Sequence, residues 1–236
     1  MIIIIGSSKG LGKSIHKMFA DKRLLLVSRT STKVESENHF HIECDINNFD
    51  YSKIGKILKD EEIEAIFYTV GLSLIEDRFN ISDEDKEKII NTNFLSIVKI
   101  NEFFLKNCNL KSSSLICFCS SVTTFLPRSK QVLYCAAKSA LNSYFNSLRS
   151  YADLEKKSFR VANLILGFMD TNMNKKFNTI LPKKNPDQIA IYLKKNLNKL
   201  NGIYYVPFYW FFIKIILNLI PFNIKKFFLI DLIYRY

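Results

Sequence analysis

Short apolar runs recur along the chain at about 2–5, 24–28, 39–45, 63–70, 114–120 and 160–166, separated by longer stretches of mixed polarity. Runs of this length, rich in β-branched residues, read as strands, and the stretches between them read as helices. Strands that alternate with helices predict an α/β chain: a doubly wound parallel sheet flanked by helices on both faces. Met1-Ile-Ile-Ile-Ile5 opens the pattern as a buried strand, and Leu11 to Lys22 follows as a helix. Ser82-Asp-Glu-Asp85 is a capping box, and it predicts a long helix running to about Lys106. Between Arg29 and His39 the connection is too short for a well-formed helix, so that crossover is reduced. With 236 residues, nearly half of them apolar, the chain holds one full α/β core and no second domain of size.

Charge changes this picture little. The formal net charge is +12, but the lysines are scattered over every helix face. The pairs Lys175-Lys176, Lys183-Lys184 and Lys194-Lys195 have no interleaved aromatic residues, which argues against a nucleic-acid partner and leaves attraction to an anionic surface open. Cysteines 44, 108, 117, 119 and 135 form no CxxC pair, and Cys117 and Cys119 read as small buried hydrophobes on a strand. His16, His39 and His41 have no ligand partners at metal-binding spacing, so no metal is expected. A first strand at residue 2 leaves no room for a signal peptide, so a cytoplasmic location with reduced thiols is expected.

Two motifs carry chemistry. Gly6-Ser-Ser-Lys-Gly-Leu-Gly12 joins the first strand to the first helix. Its glycines permit positive φ and let main-chain amides approach a pyrophosphate at the positive end of the helix. Tyr134 and Lys138 stand four residues apart on a helix, hence on one face. An ammonium beside a phenol favours phenolate and lowers a pKa that is ordinarily about 10, which suits proton exchange with an alcohol or carbonyl oxygen. Ser121, thirteen positions before Tyr134, would hold that oxygen by a hydrogen bond.

The GxxxGxG spacing together with YxxxK resembles the short-chain dehydrogenase/reductase family over about residues 1–207. The resemblance implies a Rossmann-like domain over 1–207 and a catalytic tetrad of Asn93, Ser121, Tyr134 and Lys138. It implies cofactor contacts from Gly6, Ser8, Lys9, Gly10, Leu11 and Gly12 and, after the second strand, from Ser28, Arg29 and Thr30. Further contacts would come from Asp45 and Ile46 near the adenine, from Val70 and Gly71, and from Gly167, Met169 and Thr171 near the nicotinamide, with Tyr134 and Lys138 at the ribose. No acid stands after the second strand to take a 2′-hydroxyl; Arg29 and Lys9 favour the 2′-phosphate of NADP. Two departures stand out. Leu166 replaces the usual proline before Gly167, and Tyr68-Thr-Val-Gly71 replaces the common Asn-Asn-Ala-Gly.

Beyond Pro207, residues 208–236 form an apolar, aromatic-rich extension of charge +3, with Lys214, Lys225, Lys226 and Arg235 against Asp231. Lys214, Asn218 and Pro221 interrupt it too often for a membrane span. Two short helices broken at Pro221 fit better, either as an interfacial anchor or as packing against a subunit of a homodimer or homotetramer. The segment around Val206-Pro207, Trp210 and Ile220-Pro221 resembles family members that reduce keto-sugars on polyprenyl-phosphate carriers. That implies a ketone/alcohol oxidoreductase acting on a small or lipid-linked substrate, such as a glycan precursor of polysaccharide biosynthesis, peripherally on the inner membrane face. A 3-oxoacyl reductase and a non-catalytic NADP(H)-binding scaffold are the alternatives. The loop 172–186, with Met173, Phe177, Ile180 and Leu181 among lysines, would close over an anionic, partly greasy substrate.

Overall fold

In a computed structural model the described residues are 1–31, 36–76, 80–157, 159–171, 173, 181–221 and 224. Seven strands form one parallel sheet in the order β3-β2-β1-β4-β5-β6-β7. They are β1 (Ile2–Ile5), β2 (Leu24–Ser28), β3 (His39–Glu43), β4 (Glu62–Tyr68), β5 (Asn109–Ser121), β6 (Arg160–Leu166) and β7 (Gly202–Val206). The helices are α1 (Gly10–Met18), α2 (Tyr51–Leu58), α3 (Asp83–Ile90), α4 (Ser96–Asn107), α5 (Val132–Leu154), α6 (Pro186–Asn196) and α7 (Tyr209–Leu219).

Successive side chains of a strand face opposite ways, and β1 shows what that does here. Ile2 and Ile4 join a core with Leu11, Ile15 and Phe19 of the α1 segment and Ile189 and Leu193 of α6. Ile3 and Ile5 join a second core with Ile54 of α2, Ile97, Ile100 and Phe104 of α4, and Leu141 and Phe145 of α5. All four isoleucines are fully buried, so the run without a polar face is the signature of a strand covered on both sides. The doubly wound expectation holds. Strand order reverses between β1 and β4, which opens a crevice at the carboxyl ends of the strands, the place where ligands bind in such sheets.

Several boundaries move. The third strand stops at Glu43, because Asp45 turns the chain into a short 3₁₀ turn (Ile46–Asn48) by accepting from Asn47 N at 2.9 Å. The fifth strand starts early, because Asn109 and Leu110 pair with Glu62 and Ile63 before a register shift. The long helix after Ser82 is interrupted: Ser82 Oγ accepts from Asp85 N at 3.1 Å, but a π-turn (Asn91–Leu95) separates α3 from α4. Between Arg29 and His39 the described residues contain no helix.

The first predicted tail helix is α7, which ends before Pro221; a second over 222–236 lies, apart from Ile224, outside the described residues. Trp210 and Leu217 of α7 pack in a third core with Val122, Leu126, Ile165 and Phe168. Among the described residues no helix is long and apolar enough to cross a membrane.

Candidate active site

The glycine loop follows β1 at the crevice. Gly6 has φ +98° and Gly10 φ +53°, the left-handed region that favours glycine. Gly12 is required by packing, since a Cβ there would lie 2.0 Å from Gly6 O. Thr69 Oγ1 fastens the loop by donating toward Ile5 O at 2.9 Å and Gly6 O at 3.2 Å. Helix α1 starts at Gly10 with no acid in its first turn and no side-chain cap, so the amides and positive dipole end of the helix are left to face the cavity.

That cavity has a volume of about 540 Å³. Gly6, Ser8, Lys9, Gly10 and Leu11 line its phosphate end, and Ser28, Arg29, Asp45 and Ile46 line the end beyond β2 and β3. Val70, Gly71, Ser121, Tyr134 and Lys138 form one side, with Gly167, Met169 and Thr171 opposite. Three expected residues do not line it. Gly12 lies beneath the loop, Thr30 contributes a carbonyl that accepts from Ser28 Oγ at 2.8 Å, and Asn93 is fully buried behind Gly71. Lys9 and Arg29 line the cavity and are both exposed. A bare-glycine cradle on a helix N-terminus, continuous with a long cavity, fits a dinucleotide.

The four residues expected to form the tetrad come from three elements. Asn93 sits in the π-turn, where the extra residue rotates its side chain inward. Its Nδ2 donates to Leu72 O at 2.7 Å and Ile89 O at 2.8 Å, and its Oδ1 accepts from Leu72 N at 3.2 Å. A Cβ on Gly71 would stand 3.5 Å from Asn93 Oδ1 and 3.9 Å from Lys138 Nζ, so the two side chains flank that glycine. Ser121 ends β5 and lines the cavity beside Tyr134, which stands on the first turn of α5. Lys138, one turn on, is 3% exposed. Its Nζ donates to Cys119 O at 3.0 Å and lies 5.9 Å from the Tyr134 ring centroid.

The electrostatics differ from the expectation built on the Tyr134–Lys138 spacing. The Tyr134 phenol lies above its ordinary pKa, because burial disfavours the phenolate. The largest opposing influence is the charge of Arg128, followed by the hydrogen bond with Ser121. Lys138 is itself lowered to about 8 by burial, and main-chain carbonyls hold its ammonium. Arg128 is thus a site residue that the motifs did not mark. A cation in the interval between Ser121 and Tyr134 was its only signal.

The two departures also resolve. Tyr68 points away from the cavity, stacks on Phe118 at 5.1 Å and donates to Asn101 Oδ1 at 3.2 Å, while Thr69 takes over the contact to the glycine loop. Gly167 is kept free of a Cβ by Trp210, whose Nε1 would lie 1.9 Å from one. In the loop after β6, Met169 pairs with Lys184, and Thr171 Cγ2 lies 3.4 Å from the place a Gly10 Cβ would take. Met173 lines the cavity, whereas Phe177 and Ile180 of the expected lid lie outside the described residues.

The geometry has known counterparts. The chain is 24% identical over 200 residues to a 3-oxoacyl-(acyl-carrier-protein) reductase of Buchnera aphidicola, covering 80% of this chain and 81% of that protein. It is 24% identical over 203 residues to a very-long-chain 3-oxoacyl-CoA reductase of Anas platyrhynchos, covering 78% of this chain and 64% of that protein. A short chain dehydrogenase from Burkholderia cenocepacia, solved in complex with NADP, superposes with a TM-score of 0.81 at 16% identity, covering 97% of this chain and 96% of that one. The sequence profile of the short chain dehydrogenase family matches residues 1–181. With that match over most of its length and with this fold, the chain belongs to the short-chain dehydrogenase/reductase family of oxidoreductases.

Proposed function

We propose that the protein interconverts a ketone and a secondary alcohol with NADP(H) as the cofactor. The observation that carries this reading is that Ser121, Tyr134 and Lys138 line the same cavity as the glycine loop at the start of α1. When bound there, NADPH supplies a hydride to the carbonyl carbon and is itself oxidised. Tyr134 gives its proton to the carbonyl oxygen, and Ser121 orients that oxygen by a hydrogen bond. Arg128 stabilises the phenolate so formed. Lys138 would hold the nicotinamide ribose, and Asn93, whose side chain is bound to Leu72 and Ile89, would position the Gly71 segment beside Lys138. Lys9 and Arg29 would pair with the 2′-phosphate, which supports NADP over NAD.

For the substrate, a sugar or lipid-linked glycan precursor presented at a membrane face accords with the aromatic, apolar outer face of α7. A 3-oxoacyl substrate is the second reading, favoured by the names of the matched relatives. A panel of keto-sugars and 3-oxoacyl thioesters, run with NADPH and NADH in parallel, separates these. In that assay Tyr134→Phe is expected to lower turnover by about 100-fold or more while leaving NADPH affinity within about twofold. Substantial activity in the Phe variant overturns the mechanism.

A further inference from the structure

Three polar side chains in the cavity wall are joined in a chain whose direction is fixed by chemistry. Arg128 Nη1 donates to Gln131 Oε1 at 2.8 Å, and Gln131 Nε2 donates to Ser73 Oγ. A guanidinium can only donate, so it takes the oxygen of the Gln131 amide and turns the amide nitrogen toward Ser73. An amide nitrogen also only donates, so Ser73 Oγ accepts from it and the O–H of Ser73 must point elsewhere. Among the described residues that O–H has no acceptor. Ser73 and Gln131 line the same cavity as Ser121, Tyr134 and Lys138. Gln131 is 1% exposed, so water does not compete for its amide.

The segment that carries Ser73 is pinned on both sides. Asn93 donates to Leu72 O at 2.7 Å and accepts from Leu72 N at 3.2 Å, while Glu76 N donates to Lys130 O at 2.9 Å. Gln131 stands at the start of α5, three residues before Tyr134 and so within one helical turn of the phenol. A donor of fixed direction, on a fixed segment of this wall, is suited to read a second atom of the molecule whose carbonyl meets Tyr134. We infer that Ser73, oriented by Gln131, donates a hydrogen bond to a second oxygen of the ketone substrate, either the carbonyl oxygen of an acyl group or a hydroxyl oxygen of a sugar. This rests on the ketone/alcohol reading and narrows its substrate class to ketones that bear a further oxygen acceptor near the reacting carbon. Ser73 is the binding residue and Gln131 a positioning residue.

Ligand-observed NMR titration of the full chain with oxidised cofactor bound measures this directly, because ketones then bind without being reduced. The probes are shape-matched pairs: ethyl 3-oxobutanoate against 2-heptanone for the acyl source, and 4-hydroxycyclohexanone against 4-methylcyclohexanone for the sugar source. In at least one pair the oxygen-bearing ketone should bind about fivefold more tightly than its partner, the worth of one net hydrogen bond. Ser73→Ala should bring that ratio close to one, and Ser73→Thr, which keeps the hydroxyl, should retain it. Gln131→Glu is the sharper variant. Its carboxylate still accepts from Arg128 but cannot donate, so the Ser73 O–H turns onto it and the ratio should fall close to one with Ser73 in place. A merely structural defect would weaken both members of a pair and leave the ratio unmoved. Should Ser73→Ala fail to fold, Gln131→Glu carries the comparison. A wild-type chain that prefers neither oxygen-bearing ketone overturns the proposal, as does a preference that survives either Ser73→Ala or Gln131→Glu.

The oxidoreductase reading stands or falls separately. A chain that oxidises NADPH with these ketones but shows no preference within either pair keeps the reaction and loses the Ser73 contact. One that prefers the oxygen-bearing member through Ser73 but never oxidises NADPH with any of the four loses the reaction and keeps the contact.

Discussion

Lys138 carries its charge in a place that resists it. Its Nζ is satisfied by the carbonyl of Cys119, but burial brings its pKa from the ordinary 10.5 down to about 8. The sign of the stability effect follows from proton uptake. Between pH 8 and 10.5 the unfolded chain binds a proton at Lys138 that the folded chain has released, so this residue's contribution to stability rises with pH across that window. It is lost as pH falls through 8. For the cofactor-free protein, urea unfolding of wild type and Lys138→Met should therefore differ in a pH-dependent way. The stability advantage of the methionine variant at pH 7 should shrink by about 3 kcal/mol by pH 10.5. The double difference matters because the buried thiols act oppositely: Cys119 is pushed up to about 12 and Cys108 to about 11, so both destabilise the fold as alkaline pH ionises the unfolded chain. A constant difference across the range would show that Lys138 is not titrating in a buried site. At this scale Ser121, Tyr134 and Lys138 were legible, because helix periodicity and a fixed offset bring them together whatever the rest of the chain does. Arg128 was not. A loop arginine reads as a solvated charge until Phe168 and Trp210, far along the chain, arrive to cover it.

The elements show how the helix that carries Tyr134 and Lys138 is held at its start. Helix α5 begins after Gln131 with no side-chain cap of its own. The missing partner comes from another loop: the Glu76 carboxylate accepts from Leu133 N at 2.8 Å, and Glu76 N donates to Lys130 O at 2.9 Å. A carboxylate at the second helical position satisfies an orphan amide and complements the helix dipole. Because Tyr134 is the next residue, this contact also sets the entry angle of the phenol. Glu76→Ala is expected to cost about 1–2 kcal/mol in urea unfolding, and Glu76→Gln, which keeps the acceptor and loses the charge, roughly half as much. Equal stability of all three proteins would show that the contact does not cap α5. No local rule could have paired residue 76 with residue 133, whereas the strand at Arg160–Leu166 was readable to the residue from its apolar run. The π-turn at Asn93 was hidden for a different reason. Inserting one residue into a helix leaves the apolar spacing on either side nearly intact, so the pattern reads as one continuous helix through Lys106.

For the whole molecule, α7 joins the wall of the candidate site to an exposed apolar face of the described residues. Trp210 and Leu217 face inward, seven residues apart, while Phe208, Phe212, Ile216 and Leu219 line the opposite side. Phe212 is 54% exposed, Ile216 55% and Leu219 79%. Beside them runs β7, the edge strand of the sheet, with Ile203 exposed. On a chain of net charge +12, an aromatic and apolar helix face accords with an anionic lipid surface, where acyl burial and headgroup attraction add. A second copy of the chain is the competing occupant, since an open edge strand beside an apolar helix also accords with a subunit interface. Deleting α7 cannot decide between them, because it would strip Trp210 from behind Gly167 and Phe168 and disturb the site itself. Substituting outward residues can. Phe212→Glu with Ile216→Glu leaves the inward face intact and should reduce flotation with phosphatidylglycerol vesicles by about tenfold or more, while turnover of a water-soluble ketone stays within about twofold. If the wild-type chain does not float with these vesicles, and the same pair of substitutions converts a dimer to a monomer in analytical ultracentrifugation, the surface belongs to a subunit partner.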